Sequence, residues 1–222
     1  MCKKLTYTEG VPNLSRCVNI RIILASESPS RKALLERLGV SFTVAPANIN
    51  EQGLIFERGI SCQKEHVMAL AEAKACHVAA QSASPYAIIA ADTVIYHDGK
   101  ILEKPIDESD AFNMLKSLQG RTHEVYTGVT IIVNKGEGEV TNTFCDTAQV
   151  RVRTLEDSEI WAYVNTDEPM GRSGSYAING KGSLLIDLVN GDFNTVVGLP
   201  LARMYVMLKV LGVDLMNMGK NK

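Results

Sequence analysis

The chain has 222 residues, 45% of them hydrophobic and 22% charged, which is enough to bury a substantial core in one large domain or two small ones. Its formal net charge is −2 and its longest basic run is Lys3-Lys4, so it lacks the clustered cations that a nucleic-acid-binding surface requires. Five scattered cysteines form no C-x-x-C pair, which argues against a zinc site and favours a reducing compartment. We therefore expect a cytoplasmic protein with no nucleic-acid partner.

The sequence also argues against a membrane partner. Its longest apolar tract, residues 196–213, is interrupted by Pro200, Arg203 and Lys209, which predicts a core helix and not a membrane span. Residues 1–16 lack the apolar centre of a signal peptide. We expect residues 1–19 to form a polar N-terminal extension and residues 20–217 to form a single domain.

The first predicted unit, within residues 19–39, is a strand, a tight turn and a helix. The apolar run Ile20–Leu24 has strand length, and Ser28 before Pro29 is a favourable helix N-cap. Such a turn presents backbone N–H groups and the positive end of a helix dipole to an anion. Arg31, a cation in the first helical turn, would find its negative partner in a bound phosphate. An ordinary turn with a solvated arginine is the alternative.

The next elements are less regular. A second strand is predicted at Phe42–Ala45, and the polar segment Pro46–Ile60 predicts an irregular loop. From Cys62 to Gln81 apolar residues recur at helical spacing, which predicts a helix that contains Lys74.

Tyr86–Tyr96 is a nearly continuous apolar strand that is interrupted by Asp92. A strand of this composition is typically buried on both faces. A carboxylate there is costly to bury without a partner. Asp92 is therefore either a functional carboxylate or a structural one that backbone N–H groups satisfy.

The second half of the chain predicts further strands and helices around one irregular loop. In order they are a tight turn at Asp98-Gly99 that leads back through Lys104, a helix capped by Asp107 and extending to Leu118, antiparallel strands at Val125–Val133 and Glu139–Val152, a helix at Leu155–Val164, a strand at Gly182–Val189, and a helix at Leu199–Leu211 with Pro200 in its first turn. The glycine-rich segment Glu168–Lys181 predicts a binding loop.

Several common active-site motifs are absent from the sequence. It contains no P-loop, no G-x-G-x-x-G fingerprint, no zinc-deaminase signature and no G-x-S-x-G elbow. What remains is a set of charged residues at the ends of predicted elements: Arg31, Glu51, Lys74, Asp92 and Lys104. Two acids, three cations and a helix N-terminus suit a polyphosphate with a divalent metal.

Five strings, in order, resemble the Maf family. They are L-A-S-E-S-P-S-R at Leu24–Arg31, A-D-T-V at Ala91–Val94, E-K-P at Glu103–Pro105, G-S-Y-A-I-N-G at Gly174–Gly180 and N-T-V-V-G-L-P at Asn194–Pro200. The resemblance covers roughly Ile20 to Leu211.

The resemblance implies an α/β fold akin to inosine triphosphatase, with an elongated mixed sheet, flanking helices and a deep central cleft. It implies an enzyme that hydrolyses the α–β phosphate bond of a nucleoside triphosphate, requires Mg²⁺ or Mn²⁺, and commonly pairs as a homodimer. It also implies the roles of individual residues: catalysis for Asp92, Lys74 and Lys104; substrate binding for Ser26, Ser28, Arg31, Thr93 and Asn179; and metal binding for Glu51 and Asp92.

Three positions depart from the family pattern. Ser30 replaces the first arginine of S-P-R-R, Asn50-Glu51 replaces an acidic pair, and Asn179 replaces a glutamine. The missing arginine would weaken a phosphate clamp, unless residue 30 merely faces solvent. Asn179 keeps an amide that can still recognise a pyrimidine edge.

The motifs also bear on the choice of substrate. A-D-T and the amide at Asn179 resemble the branch that acts on dTTP and UTP, including modified pyrimidine nucleotides, more than the 7-methyl-GTP branch. A 7-methyl-GTP pyrophosphatase, a nucleotide-binding regulator of cell division and a phosphatase that releases inorganic phosphate are the alternatives. The retained Asp92, Lys74 and Lys104 favour an enzyme over a regulator.

Overall fold

A computed structural model describes residues 20–218, so the predicted extension at residues 1–19 lies outside the described part. The strands are Arg21–Leu24 (β1), Phe42–Val44 (β2), Tyr86–His97 (β3), Lys100–Leu102 (β4), Thr122–Asn134 (β5), Glu139–Val152 (β6) and Ile186–Asn190 (β7). The α-helices are Pro29–Arg37 (α1), Glu51–Arg58 (α2), Gln63–Ala79 (α3), Glu108–Leu118 (α4), Asp157–Val164 (α5), Phe193–Val197 (α6) and Leu201–Val210 (α7). Short 3₁₀ helices cover Ser173–Ser175 and Lys181–Leu185.

The seven strands form a mixed sheet in the order β2-β1-β3-β5-β6-β7, with β4 paired to β3. β1 runs parallel to β2 and β3, whereas β4 is antiparallel to β3 and β7 is antiparallel to β6. The predicted α/β class with a mixed sheet and helices is therefore confirmed. The elongated shape and the deep cleft stay predictions.

The chain divides into two compact units. Among the described residues, unit 1 comprises residues 20–92, 128–145 and 199–218, and unit 2 comprises residues 93–127 and 146–198. The single domain predicted over residues 20–217 stays a prediction. None of the helices between residues 20 and 218 is long and apolar enough to cross a bilayer.

The core of unit 1 places α3 directly against the sheet. Ala75, Val78 and Ala79 of α3 pack with Ile88 of β3 in one buried cluster. Gly128 of β5 permits a close approach of α3, because a Cβ there would lie 2.4 Å from the Val67 carbonyl. This packing fixes the part of α3 that carries Lys74.

Unit 2 has its own apolar core, which supports the loop predicted to bind a ligand. Leu115 of α4 and Ile160 of α5 are fully buried in one cluster. Tyr163 at the end of α5 and Tyr176 in the loop belong to the same cluster. The loop is therefore anchored by its aromatic residue.

Three local predictions were wrong. The segment predicted as a loop at Pro46–Ile60 contains α2, because Asn50 accepts a hydrogen bond from the Gly53 N–H at 3.0 Å and Gly59 ends the helix in a left-handed conformation. The strand predicted at Gly182–Val189 begins only at Ile186, because residues 182–185 belong to the 3₁₀ helix Lys181–Leu185. The final helix begins only after Pro200, and α6, capped by Asp192, precedes it.

Candidate active site

The turn before α1 brings three of the predicted residues together. The Ser28 hydroxyl caps α1 by accepting from the Arg31 N–H, with the two atoms 3.5 Å apart. The Ser26 hydroxyl accepts from the Ser28 N–H at 3.2 Å and from Arg31 Nη1 at 3.1 Å. Ser26 therefore orients the guanidinium at the N-terminus of the helix.

Arg31 is half-buried, so the alternative of an ordinary solvated arginine does not describe it. Burial lowers the pKa of its guanidinium, and the carboxylates of Asp92 and Glu51 act in the opposite direction. Ser30, on the same helix, is buried with 6% exposure. The idea that residue 30 faces solvent is therefore wrong.

Lys74 of α3 lies between two carboxylates from different elements. Its Nζ is 2.7 Å from Asp92 Oδ1 on β3 and 2.9 Å from Glu51 Oε1 at the start of α2. The side chains of Lys74 and Asp92 are each 13% exposed, whereas that of Glu51 is 48% exposed. We call Glu51, Lys74 and Asp92 the Lys74 centre. Asp92 is thus not a structural carboxylate satisfied by backbone alone.

The Lys74 centre has a donor set that suits a hard divalent cation. Its two carboxylates supply the oxygen ligands that Mg²⁺ prefers, and Mg²⁺ is typically bound by one or two carboxylates together with phosphate oxygens and water. Both carboxylates contact Lys74 Nζ, so a cation held by both would displace that ammonium group from the point between them. Between residues 20 and 218, no group of three or more His, Cys, Asp and Glu side chains is arranged to hold a metal. A cation at Glu51 and Asp92 would therefore need further ligands from a substrate and from water.

Thr93 follows Asp92 in the chain, and its hydroxyl belongs to a series of hydrogen bonds in unit 2. Its Oγ1 is 2.9 Å from Thr127 Oγ1. Thr127 donates to the carbonyl oxygen of Thr195 at 2.8 Å, and the Thr195 hydroxyl donates to Asp146 Oδ2 at 3.0 Å. Thr127 and Thr195 are fully buried. The hydroxyl of Thr93 is therefore held by the interior of unit 2.

The other two predicted residues of unit 2, Lys104 and Asn179, have exposed side chains. Lys104 follows β4, and the carbonyl oxygen of the preceding Glu103 accepts from the Gly174 N–H at 3.1 Å. Gly174 has a left-handed φ of 67° and no room for a side chain, because a Cβ would lie 2.5 Å from Ile95 Cδ1. The segment that carries Lys104 is thus tied to the start of the loop that carries Asn179.

A buried histidine, which sequence reasoning missed, supports the same loop. His123 Nε2 lies 2.8 Å from the Tyr176 hydroxyl. Its Nδ1 is buried without a hydrogen-bond partner among residues 20–218. Burial, with a smaller contribution from His97, lowers the pKa of His123 to about 4, so the ring is neutral at physiological pH. An isolated histidine in a strand gives no sequence signal for this contact.

Comparisons with known proteins identify a family and similar sequences. The family described as Maf-like protein matches residues 21–211. A dTTP/UTP pyrophosphatase of Caldicellulosiruptor bescii is 42% identical over 199 residues, which cover 88% of this chain and 97% of that protein. A dTTP/UTP pyrophosphatase of Lachnoclostridium phytofermentans is 40% identical over 196 residues, which cover 88% of this chain and 97% of that protein. One of Bacillus thuringiensis subsp. konkukian is 42% identical over 194 residues, which cover 87% of this chain and 97% of that protein.

A comparison of structures matched a nucleoside-triphosphatase / dITP/XTP pyrophosphatase from Mycobacterium abscessus. The match covers 90% of this chain and all of that chain, with 16% sequence identity and a TM-score of 0.34. A likeness at that level supports no argument about this chain.

Proposed function

The chain belongs to the Maf-like protein family, and on that premise we propose that it is a nucleoside triphosphate pyrophosphatase acting on dTTP and UTP. The products would be the nucleoside monophosphate and pyrophosphate. Relatives of that name are about 40% identical to this chain over nearly their full length. Within the chain, the observation that carries the proposal is the contact of Lys74 with both Asp92 and Glu51.

In the proposed reaction, water adds to a phosphorus atom and the bond from that phosphorus to the bridging α–β oxygen breaks. Asp92 is the general base that accepts the proton of the water. Lys74, Arg31 and Lys104 offset negative charge on the phosphoryl oxygens, and Ser26 and Ser28 present the N-terminus of α1 to a phosphate. Glu51 and Asp92 would hold Mg²⁺ or Mn²⁺. That cation, when bound, further offsets the negative charge of the triphosphate.

Base selection would fall to unit 2. Asn179 is exposed on its loop, and its amide can both donate and accept, as the edges of uracil and thymine do. The family branch favours pyrimidine nucleotides, including modified ones. A 7-methyl-GTP pyrophosphatase, a nucleotide-binding regulator of cell division and a phosphatase are the alternatives.

The resemblance further supports a cytoplasmic homodimer, which we also propose. Light scattering of the purified protein would test the dimer, since a mass of one 24.2 kDa chain at micromolar concentration would contradict it.

A panel of triphosphates tests the activity. The protein is incubated with dTTP, UTP, CTP, GTP and 7-methyl-GTP, each with Mg²⁺, with Mn²⁺ or with a chelator, and the products are identified. We expect pyrophosphate and monophosphate from dTTP and UTP, only when a divalent cation is present. Release of inorganic phosphate would indicate a phosphatase, and tight binding without turnover would indicate a regulator. Asp92→Asn serves as the control for contaminating activity.

A further inference from the structure

The turn that carries Asn179 is held by two side chains to which the mechanism above assigns no role. We call residues 177–182 the Asn179 turn. The Tyr163 hydroxyl accepts from the Ala177 N–H at 3.0 Å, at the beginning of the turn. The Glu168 carboxylate accepts from the Lys181 N–H at 2.9 Å and from the Gly182 N–H at 3.4 Å, at its end. Both ends of the turn are therefore fixed through their backbone.

Tyr163 and Glu168 also act on each other. Burial raises the pKa of the Tyr163 hydroxyl, and the negative charge of Glu168 adds to that rise. Tyr163, which is 5% exposed, accepts from the beginning of the Asn179 turn, and Glu168 accepts from its end. The two side chains therefore hold opposite ends of one turn.

The glycines of the turn fit this arrangement. A Cβ at Gly180 would lie 2.0 Å from Glu168 Oε1, and a Cβ at Gly182 would lie 2.7 Å from the Tyr163 hydroxyl oxygen. Either contact is far inside van der Waals distance, so the backbone approaches both side chains as closely as glycine allows. Asn179, immediately before Gly180, is exposed.

We propose that Tyr163 and Glu168 are positioning residues that hold the Asn179 turn in one shape and thereby set how selectively Asn179 recognises the base. This inference rests on the proposed role of Asn179 in substrate binding. A hydrogen bond to a base edge weakens steeply with distance and angle, so a turn free to shift discriminates less between bases. Neither positioning residue needs to contact the nucleotide.

Single and double variants test the inference. Tyr163→Phe removes the hydroxyl at almost constant volume, and Glu168→Gln removes one of two strong acceptors. We expect each to lower the ratio of kcat/KM for dTTP to that for CTP by about tenfold, while kcat for dTTP changes by less than about threefold. Tyr205→Phe is the matched control, because it also removes a hydrogen-bonded tyrosine hydroxyl, which donates to Asp214 Oδ1 at 3.0 Å, but one that does not contact the Asn179 turn.

The double variant Tyr163→Phe/Asn179→Ala distinguishes positioning from a merely structural effect. If Tyr163 acts through Asn179, the double variant selects bases no worse than Asn179→Ala alone. Losses that multiply, or an unchanged ratio in folded Tyr163→Phe and Glu168→Gln, would overturn the inference.

The wild-type protein separates this inference from the proposed function. If it hydrolyses no triphosphate, the proposed function fails. Amide hydrogen exchange at residues 177, 181 and 182 then still tests the positioning itself. Faster exchange in Glu168→Gln than in the wild type supports it, and equal exchange overturns it.

Discussion

The Lys74 centre and the Asn179 turn are organised by opposite means. In the Lys74 centre, ionised side chains contact one another, with Lys74 Nζ within 2.9 Å of two carboxylates. In the Asn179 turn, side chains bond backbone N–H groups and the exposed residue makes no part of the support. The first region depends on the identity and charge of its side chains, and the second on the shape of its backbone. Substitutions should therefore change the rate of the chemical step in one region and selectivity in the other.

We expect the largest effect from Asp92→Asn, in the Lys74 centre. The change keeps the volume but removes the charge and the base, so we expect turnover of dTTP to fall at least about a hundredfold. Thermal unfolding should show that the variant is folded, and the ratio between dTTP and CTP should be unchanged. A folded variant with nearly wild-type turnover would exclude Asp92 as the base.

The support of the loop by His123 should appear as a pH dependence of stability and not of chemistry. The pKa of His123 is about 4 in the folded protein, against about 6.5 unfolded, so the unfolded state takes up the proton first. The free energy of unfolding is thus unaffected above pH 6.5 and falls as the pH drops toward 4, by about 2 kcal/mol at pH 5 from this one group.

Urea unfolding of the wild type and of His123→Gln between pH 7.5 and pH 5 measures this effect. Glutamine keeps a polar group near Tyr176 but does not titrate, so the variant should lose about 2 kcal/mol less over that range. Equal losses in both proteins would show that His123 does not contribute.

Lys74 and Lys104 should differ in how much each contributes to stability. Lys74→Ala should lower kcat about tenfold to a hundredfold. It should also lower the free energy of unfolding by about 1–3 kcal/mol, because the largely buried carboxylate of Asp92 loses its partner.

Lys104 is exposed, so Lys104→Ala should change the free energy of unfolding by less than about 0.5 kcal/mol while the KM for triphosphates rises. If Lys104→Ala leaves the KM unchanged, Lys104 is not part of the site.

Ser30→Arg should have the smallest effect on catalysis. Restoring the usual arginine adds a forked donor near Arg31, so we expect the KM for triphosphates to change severalfold. Ser30 is buried, so the larger side chain should also cost about 1–3 kcal/mol of stability. The conservative change Lys32→Arg at an exposed position of α1 is the control. Superimposable kinetics on dTTP, UTP, CTP and GTP would remove residue 30 from the site.

Sequence reasoning predicted those parts of the molecule whose signals are local. Ser28 before Pro29 marked the start of α1, and a charge inside an apolar strand marked Asp92. The helix α2 was missed because its polar residues and Gly53 are typical of a loop, and the contact between Glu51 and Lys74 depends on that helix. The contact between Glu51 and Lys74 joins residues from two elements, so no local pattern in the sequence predicts it.

The supports of the Asn179 turn were unpredictable for the same reason. Tyr163 is one apolar position among several on α5, and Glu168 is one acid at the edge of a polar loop. Only their distances to the backbone N–H groups of residues 177, 181 and 182 show what they do. A sequence pattern identifies charged residues well, but it does not identify what orients a backbone.

The donor and acceptor roles in the hydrogen bonds of Thr93 and Thr127 are fixed. Thr127 has one hydroxyl hydrogen, which it donates to the carbonyl oxygen of Thr195, so the contact between Thr127 and Thr93 must take its hydrogen from Thr93. Any further partner of Thr93 must then donate to it, as the N3–H of uracil or thymine or a ribose hydroxyl can, and as a bare phosphate oxygen cannot. The buried threonines thus turn a group that could serve as donor or acceptor into one with the polarity of a carbonyl.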